Sequence, residues 1–165
     1  MTVGVATCSP DTPVSDLAEL IIEKGIEAVV VLNPSDGHAL GVVSQDDLVK
    51  AFSQRHQWDS KELAVPNAEE VMSAGVPQIP ADIPLDAAAQ IMIDRRKRTL
   101  FLMHHAGGIE YPAAVISYSH ILRALAAKSE AEFTDLGIKA KRQSPLDAFI
   151  ERRDAARKNV ASKQK

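Results

Sequence analysis

The chain has 165 residues, of which 45% are apolar and 25% are charged, and its formal net charge is -3. This length suits one ordinary domain or two small ones, with enough apolar residues to form a core. No uncharged apolar run is long enough to span a membrane, and the start lacks the pattern of a secretion signal. Cys8 is the single cysteine, which excludes an internal disulfide and fits a reducing compartment. We therefore expect a cytoplasmic protein without a membrane partner.

The charge is divided between an acidic body and a basic end. Residues 139–165 carry nine Lys or Arg and three acidic residues, whereas the remainder carries ten basic and nineteen acidic residues. An acidic body argues against a nucleic-acid-binding core, because it would repel phosphates. The basic end could contact an anionic partner or the acidic body itself. Weak nucleic-acid binding through this end is a disfavoured alternative, since no aromatic platform accompanies the cations.

The first third of the chain predicts the order strand, helix, strand, strand, helix. Apolar residues at positions 14, 17, 18, 21 and 22 have helical spacing, and Gly25 is a helix stop signal. Residues 28–32 form an unbroken apolar run, which is typical of a buried strand. The expected elements are a strand at 5–8, a helix at 14–24, strands at 28–32 and 40–43, and a helix at 44–54.

The same order returns in the second half of the chain. At an offset of 71 residues, residues 1–5 align with residues 72–76, and two further residues of offset align the later elements. Such a repeat predicts two similar units, each with the same kind of site unless one unit has lost it. The expected elements are a strand at 76–79, a helix at 84–95, strands at 100–103 and 113–116, and a helix at 117–128.

Two segments lie outside the repeat. Asn67 predicts the N-cap of a short helix that reaches Met72, with Glu70 as its capping-box partner. We expect the counterpart of this helix in the first unit to be either missing or truncated by the start of the sequence. Ser144 followed by Pro145 predicts the start of a final helix. The expected divisions are a first unit at 1–56, a linker at 57–66, a second unit at 67–128, and a polar stretch with a basic C-terminal helix or tail at 129–165.

Residues 41–47 follow the order Gly, two aliphatic residues, Ser, two variable residues and Asp. With this central motif, the two units resemble a tandem pair of CBS domains, the regulatory module named after cystathionine β-synthase. The resemblance covers about residues 1–127 and implies an α/β (α+β) fold, with two β-α-β-β-α units packed as a pseudo-twofold pair and a C-terminal helix added. It also implies two related clefts for adenine nucleotides or similar ligands, and a homodimer of pairs. The other matching segments are 9–13, 28–32, 71–73, 80–84 and 114–117.

The resemblance assigns ligand-binding roles to the motif of the first unit. Ser44 would lie near a phosphate and Asp47 would hold the ribose hydroxyls, with Gly41 and Val43 beside them. The start of a helix offers N–H groups and a positive dipole end to an anion, and a carboxylate accepts hydrogen bonds from both hydroxyls. Ser-x-x-Asp is also a plain helix-capping arrangement, and these two residues alone favour capping.

Other candidate ligand contacts come from both units. By the same resemblance, Thr7 and Cys8 would contact the base or the sugar, and Lys97 and Arg98 would reach ligand phosphates across the interface. The alternative for the basic pair is a solvated helix end, where cations complement the helix dipole. Glu27 would repel a polyphosphate if it faced one, which favours a monophosphate or an adenosine-like ligand.

The second unit has a degenerate version of this motif. His120 replaces the acidic residue Asp47, and Ala114 replaces Gly41. A neutral His can bond a hydroxyl but is a poorer clamp than a carboxylate. We therefore expect the second cleft to bind ligand less readily than the first. Its candidate contacts are Ser117, His120, Gln78 and Ile79.

The function implied is a non-catalytic regulatory module that binds an adenosine-containing nucleotide and signals to a separate partner protein. The ligand would be AMP, ADP, ATP or S-adenosylmethionine, with no required cofactor. The main alternative is a scaffold or dimerisation protein with vestigial clefts. The sequence has no recognisable nucleophile set or phosphate-binding glycine loop, and His104 and His105 point to opposite faces of a strand. We therefore expect neither catalysis nor a metal site.

Overall fold

The computed structural model describes residues 2–54, 65–106 and 108–128, so most of the predicted linker and the predicted C-terminal helix lie outside the described residues. The described residues form two similar units of mixed helix and strand, and none of their helices is long and apolar enough to cross a membrane. The elements are β1 (Thr2–Val3), β2 (Thr7–Cys8), α1 (Val14–Lys24), β3 (Ala28–Leu32), β4 (Ala39–Ser44), α2 (Gln45–Ser53), α3 (Ala68–Val71), β5 (Ser73–Ala74), α4 (Leu85–Asp94), β6 (Thr99–Ala106), β7 (Ile109–Ser117) and α5 (Tyr118–Ala126).

The strands form two sheets, and each sheet contains strands from both units. One sheet has the order β2-β3-β4-β5, and the other has the order β1-β7-β6. In the first, β5 comes from the second unit and pairs with β4, with Gly41 opposite Ala74. In the second, β1 comes from the first unit and pairs with β7, with Val3 opposite Ala114. β1 and β5 are the first strands of their units and occupy equivalent positions in the repeat, as do β7 and β4. Each unit therefore gives its first strand to the sheet of the other, and this exchange is symmetric.

The residues of β3 pack against two different layers. Val29 and Val31 are fully buried in the same core as Leu17 of α1, on the helix side of the sheet. Val30 faces the other way and packs in a core with Phe101 of β6, between the sheets of the two units. Successive side chains of a strand point to opposite faces, so an unbroken apolar run is required where both faces are covered. The predicted buried strand and two-unit packing are confirmed.

The ends of the helices follow the predicted signals. Gly25 ends α1 in the left-handed region, with φ of 58°. Asn67 caps α3, and its capping box with Glu70 is formed as predicted. The N–H of Ala68 then donates to the carbonyl of Thr12 at 2.8 Å, which fixes α3 against the first unit. The second unit is therefore attached to the first immediately before β5 begins.

The hairpin of β6 and β7 is longer than the sequence predicted. Residues 100–103 and 113–116 were expected, whereas the strands extend over Thr99–Ala106 and Ile109–Ser117. Several of the added residues, such as His104 and His105, carry exposed polar side chains, so the apolar pattern used for the prediction does not extend to them. Strand pairing continues there through backbone hydrogen bonds, past an irregularity in register between Leu102 and Met103.

Gly41→Ala tests the close approach of β5 to β4. A Cβ at this position would lie 2.5 Å from the Ser73 carbonyl oxygen and 2.9 Å from the Met72 sulfur. We expect the added methyl group to lower the free energy of unfolding by about 1–3 kcal/mol, because the contact is partly with backbone. Urea unfolding measures this change.

The matched control for Gly41→Ala is Ala114→Gly, at the equivalent position of β7. That change introduces no clash and should lower the free energy of unfolding by only about 0.5–1 kcal/mol. Equal unfolding midpoints for wild type and Gly41→Ala would contradict the close packing described for β5.

Candidate functional site

A cavity of about 300 Å³ lies between the first and second units, and we call it the Asp47 cleft. One wall comes from β4 and the start of α2, and the opposite wall comes from the turn between α4 and β6. The chain around β5 lies beside both walls. The residues lining the cleft are Glu27, Val42, Ser44, Gln45, Asp46, Asp47, Ser73, Ala74, Gly75, Val76, Pro77, Arg96, Lys97, Arg98 and Thr99.

The carboxylate of Asp47 holds the start of α2 and also faces the cleft. Its Oδ2 accepts hydrogen bonds from the N–H of Ser44, at 2.9 Å, and from the Ser44 hydroxyl. Its Oδ1 accepts from the Ser73 hydroxyl at 3.3 Å. A carboxylate has about four acceptor positions, so capping does not exhaust the hydrogen-bonding capacity of Asp47. Helix capping and ligand binding are therefore compatible at this residue.

The start of α2 offers fewer N–H groups to an anion than the sequence suggested. The N–H of Gln45 donates to the carbonyl of Glu27 at 3.0 Å, and the N–H of Asp47 donates to the Ser44 hydroxyl at 3.3 Å. A phosphate in the Asp47 cleft would therefore depend mainly on charged side chains from the opposite wall.

That opposite wall is basic, and we call residues 96–98 the basic turn. The ammonium of Lys97 donates to the Ser73 hydroxyl at 3.3 Å, so Ser73 lies between a cation of the second unit and Asp47 of the first. Arg98 pairs with Asp46 across the cleft, with 3.1 Å between Nη2 and Oδ1. Lys97 and Arg98 thus lie across the cleft from the Ser44 motif, and their contact with a ligand phosphate stays a prediction.

Arg96 is a residue of the cleft that the sequence analysis missed. Its φ is 51°, and among the described residues it is the one residue other than glycine with a positive φ. In the repeat, Arg96 corresponds to Gly25, and each of the two residues follows the end of a helix. The next residue makes an equivalent hydrogen bond in both units: the N–H of Lys97 donates to the carbonyl of Met92, and the N–H of Ile26 donates to the carbonyl of Ile21. A residue with a side chain costs about 1 kcal/mol or more in this backbone conformation. The strained position is one that lines the cleft and carries a cation. The sequence did contain a signal for this residue, since the repeat aligns an Arg with the Gly that ends α1.

The formal charges lining the Asp47 cleft balance. Three carboxylates, from Glu27, Asp46 and Asp47, face the three cations of the basic turn. Glu27, which the sequence analysis expected to repel a polyphosphate if it faced one, lines this cleft. A cleft that is neutral in total can accept a neutral or singly phosphorylated ligand with less repulsion than a polyphosphate.

Four of the predicted contacts do not line the Asp47 cleft. Thr7 and Cys8 form β2, at the opposite edge of the sheet from β5. Cys8 packs against the core of the first unit, and burial is the main cause that raises the pKa of its thiol. Val43 is fully buried in that core, and Gly41 provides room for β5 instead of room for a ligand.

Residues 73–77 take the place that the sequence analysis gave to Thr7 and Cys8. They line the Asp47 cleft because β5 crosses from the second unit to pair with β4. The repeat showed that β5 has a counterpart in β1, but nothing in the sequence indicated that leading strands pair with the other unit. This exchange is the reason that the predicted side of the cleft and the observed side differ.

The candidate residues of the second cleft are engaged in capping and packing. The N–H of Ser117 donates to Nδ1 of His120 at 3.0 Å, and both side chains are buried. Ile79 lies in the core of the second unit, and Gln78 donates to Glu110 at 2.9 Å. His120 therefore repeats the capping role of Asp47 but is turned into the protein, and a second ligand cleft stays a prediction.

The comparison with protein families finds one domain twice in the chain. The family model described as CBS domain matches residues 1–54 and 68–127. A search of curated protein sequences finds no significant match.

Solved structures with the same fold include proteins that bind adenosine compounds. The chain is 25% identical to the CBS-domain containing protein ATU1752 from Agrobacterium tumefaciens, with a TM-score of 0.62 over 74% of this chain and 85% of that one. It is 16% identical to the CBS domain pair of protein MJ0100, in complex with 5′-methylthioadenosine and S-adenosyl-L-methionine, with a TM-score of 0.64 over 78% and 94%. It is 23% identical to CBSX2 in complex with AMP, with a TM-score of 0.56 over 76% and 88%.

His120 should make stability depend on pH. Burial is the main cause that lowers the pKa of His120 to about 4 from an ordinary value of 6.5, and positive charges, including those of the chain's N-terminus and of Arg123, lower it further. The unfolded chain therefore takes up a proton at higher pH than the folded chain does. The stabilising effect of the neutral imidazole is complete above about pH 6.5 and is lost as the pH falls toward 4.

His120→Gln should weaken this pH dependence, because Gln keeps an acceptor for the Ser117 N–H but does not titrate. Between pH 7 and 4, we expect the variant to lose about 1–2 kcal/mol less free energy of unfolding than wild type, allowing for screening by solvent. Urea unfolding at several pH values measures the difference. His38→Gln, at an exposed side chain, is the matched control. Parallel pH profiles for wild type and His120→Gln would contradict the assignment.

Proposed function

The chain belongs to the CBS-domain family, and we propose that it is a non-catalytic regulatory module that binds an adenosine-containing nucleotide in the Asp47 cleft. The observation that carries the proposal is the position of the Asp47 carboxylate opposite the basic turn, across a cavity of about 300 Å³. This volume is at the lower end of the range for small-molecule sites and suits one small ligand.

The two walls of the cleft would bind different parts of the ligand. The Asp47 carboxylate already accepts three hydrogen bonds from Ser44 and Ser73, so about one of its four acceptor positions is left for a ribose hydroxyl. Lys97 and Arg98 are donors for a phosphate. Val76 and Pro77, on the chain after β5, provide apolar contact for a base. A nucleotide combines these three chemical groups in one molecule, and a simple anion or a simple sugar would use only part of the cleft.

The balance of charge favours ligands with little negative charge. Because Glu27, Asp46 and Asp47 offset the basic turn, each additional phosphate would meet increasing repulsion. We therefore propose that AMP, adenosine or S-adenosylmethionine binds in preference to ATP. The complexes of the two similar proteins, with AMP and with 5′-methylthioadenosine and S-adenosyl-L-methionine, support this choice of ligand class.

Ligand binding would act on the packing of the two units against each other. The Asp47 cleft contains residues of both units, so a ligand there contacts both and changes the stability of their interface. A separate partner protein would respond to that change.

Asp47→Ala tests the binding site. We expect loss of binding to AMP, because the variant lacks the acceptor for the ribose. Thermal unfolding measures the effect: a ligand at about 100 times its dissociation constant should add about 2.7 kcal/mol to the stability of wild type, a shift of several degrees. The shift should be absent in Asp47→Ala.

Asp46→Ala is the control for this experiment, since it removes the neighbouring carboxylate from the same turn of α2 but should retain binding. Both variants also change the first turn of the helix, so each is compared with its own ligand-free form. Equal ligand shifts in the two variants would remove the assignment to Asp47. A lack of any shift in wild type would favour the alternative of a scaffold protein with vestigial clefts.

We also propose that two copies of the chain associate through their helices. Apolar side chains that are mainly exposed lie on α1, on α4 and on α5, among them Ile22, Ile93 and Leu125. Exposed apolar surface of this kind is typical of an interaction site.

Leu122→Glu combined with Leu125→Glu tests this association. The two side chains are 63% and 77% exposed on α5, so the change should leave the fold intact but place charges on the proposed interface. We expect light scattering coupled to gel filtration to give a dimer for wild type and a monomer for the variant. A monomeric wild type at micromolar concentration would contradict the proposal.

A further inference from the structure

We propose that Asp46 pairs with Arg98 when the cleft holds no phosphate, and that the phosphate of a bound ligand replaces Asp46 as the partner of Arg98. By this replacement the cleft distinguishes phosphorylated from unphosphorylated adenosine ligands. The inference rests on the proposed function and concerns how the same cleft responds to the charge of its ligand.

The ion pair crosses the Asp47 cleft from one unit to the other. Asp46 lies in the first turn of α2, in the first unit, and Arg98 directly precedes β6, in the second. Their side chains approach to 3.1 Å between Oδ1 and Nη2, and both residues line the cleft. A carboxylate and a phosphate present similar oxygen acceptors to a guanidinium group. The bond that Arg98 makes to Asp46 is therefore of the kind that it would make to a phosphate.

The pair is exposed enough to be exchanged easily. The side chains of Arg98 and Asp46 are 54% and 58% exposed, and ion pairs that are accessible to solvent contribute little to stability. After release, the carboxylate of Asp46 would remain beside the N-terminal end of α2, where the helix dipole favours a negative charge. Separation of the two charges thus leaves neither of them buried without a partner.

The exchange requires movement of the Arg98 side chain but not of its backbone. The carbonyl of Arg98 accepts a hydrogen bond from the N–H of Tyr118 at 3.1 Å, and the next residue, Thr99, is in register with Ser117. Lys97, already within 3.3 Å of Ser73, would provide a second cation for the same phosphate. The backbone around the phosphate position is thus fixed, and the flexible side chain exchanges partners.

Two ligand-bound states follow from this exchange. Adenosine fills the cleft and leaves Asp46 paired with Arg98, so the ion pair between the units is kept. AMP takes Arg98 for its phosphate and releases Asp46, so the ion pair is broken. The module therefore responds differently to two ligands that share the same nucleoside.

Asp46→Asn tests the inference, because Asn has nearly the same size as Asp but cannot compete as an anion for Arg98. We measure dissociation constants for AMP and for adenosine by calorimetry. The ratio of adenosine to AMP dissociation constants should rise by about two- to fivefold relative to wild type, which corresponds to the loss of an exposed ion pair. Asp86→Asn, which makes the same charge change in the first turn of α4, should leave the ratio as it is in wild type.

Arg98→Gln provides the second arm of the test. The preference for AMP over adenosine should fall in this variant, and in the double variant Asp46→Asn, Arg98→Gln the gain from Asp46→Asn should disappear. An equal gain with and without Arg98 would overturn the inference, because the effect would then be a general one of charge. An unchanged ratio in Asp46→Asn would also overturn it. Failure of wild type to bind either ligand would instead contradict the proposed function.

Discussion

The exchange of two short strands between the units is the constraint on which the cleft depends. β5 follows the helix that begins the second unit, yet it pairs with β4 of the first. This pairing places Ser73 within 3.3 Å of both Asp47 and Lys97, so one hydroxyl lies between the acidic and the basic wall. Close approach of the strand needs a residue without a side chain at Gly41, where a Cβ would lie 2.5 Å from the Ser73 carbonyl. The pairing of β5 with β4 thus determines which charged groups face each other.

Stability and binding make different demands on the two walls. On one wall they coincide, because Asp47 caps α2 and still has about one acceptor position for the proposed ligand. On the other wall they conflict, since Arg96 has a φ of 51° where the matching residue of the first unit is Gly25. The two units also differ at the capping position, where His120 is buried and Asp47 faces the cleft. These differences make the two halves of a symmetric fold chemically unequal.

The repeat in the sequence was sufficient to predict the fold. Apolar spacing located α1 and β3, and the offset of about 71 residues predicted two units with the same element order. Four residues that the resemblance proposed as ligand contacts, Ser44, Asp47, Lys97 and Arg98, line one cleft, and their role in binding stays a prediction. The position of Thr7 and Cys8 relative to the cleft could not be predicted in this way. The strand that lies beside the Ser44 motif is determined by pairing between the two units, and the local sequence pattern carries no information on that pairing. The ion pair between Asp46 and Arg98 likewise joins residues 52 positions apart in sequence, with no shared motif.

The most direct test of the account is to add AMP to isotopically labelled protein and follow the backbone amide signals by NMR. A ligand in the Asp47 cleft should shift the signals of residues 44–47, 73–76 and 96–99 together, although these residues belong to two units and three separate segments. Signals of Ser117 and His120, which are buried in the second unit, should change least. Shifts confined to one unit, or centred on the second motif, would contradict the claim that this cleft between the units is the binding site.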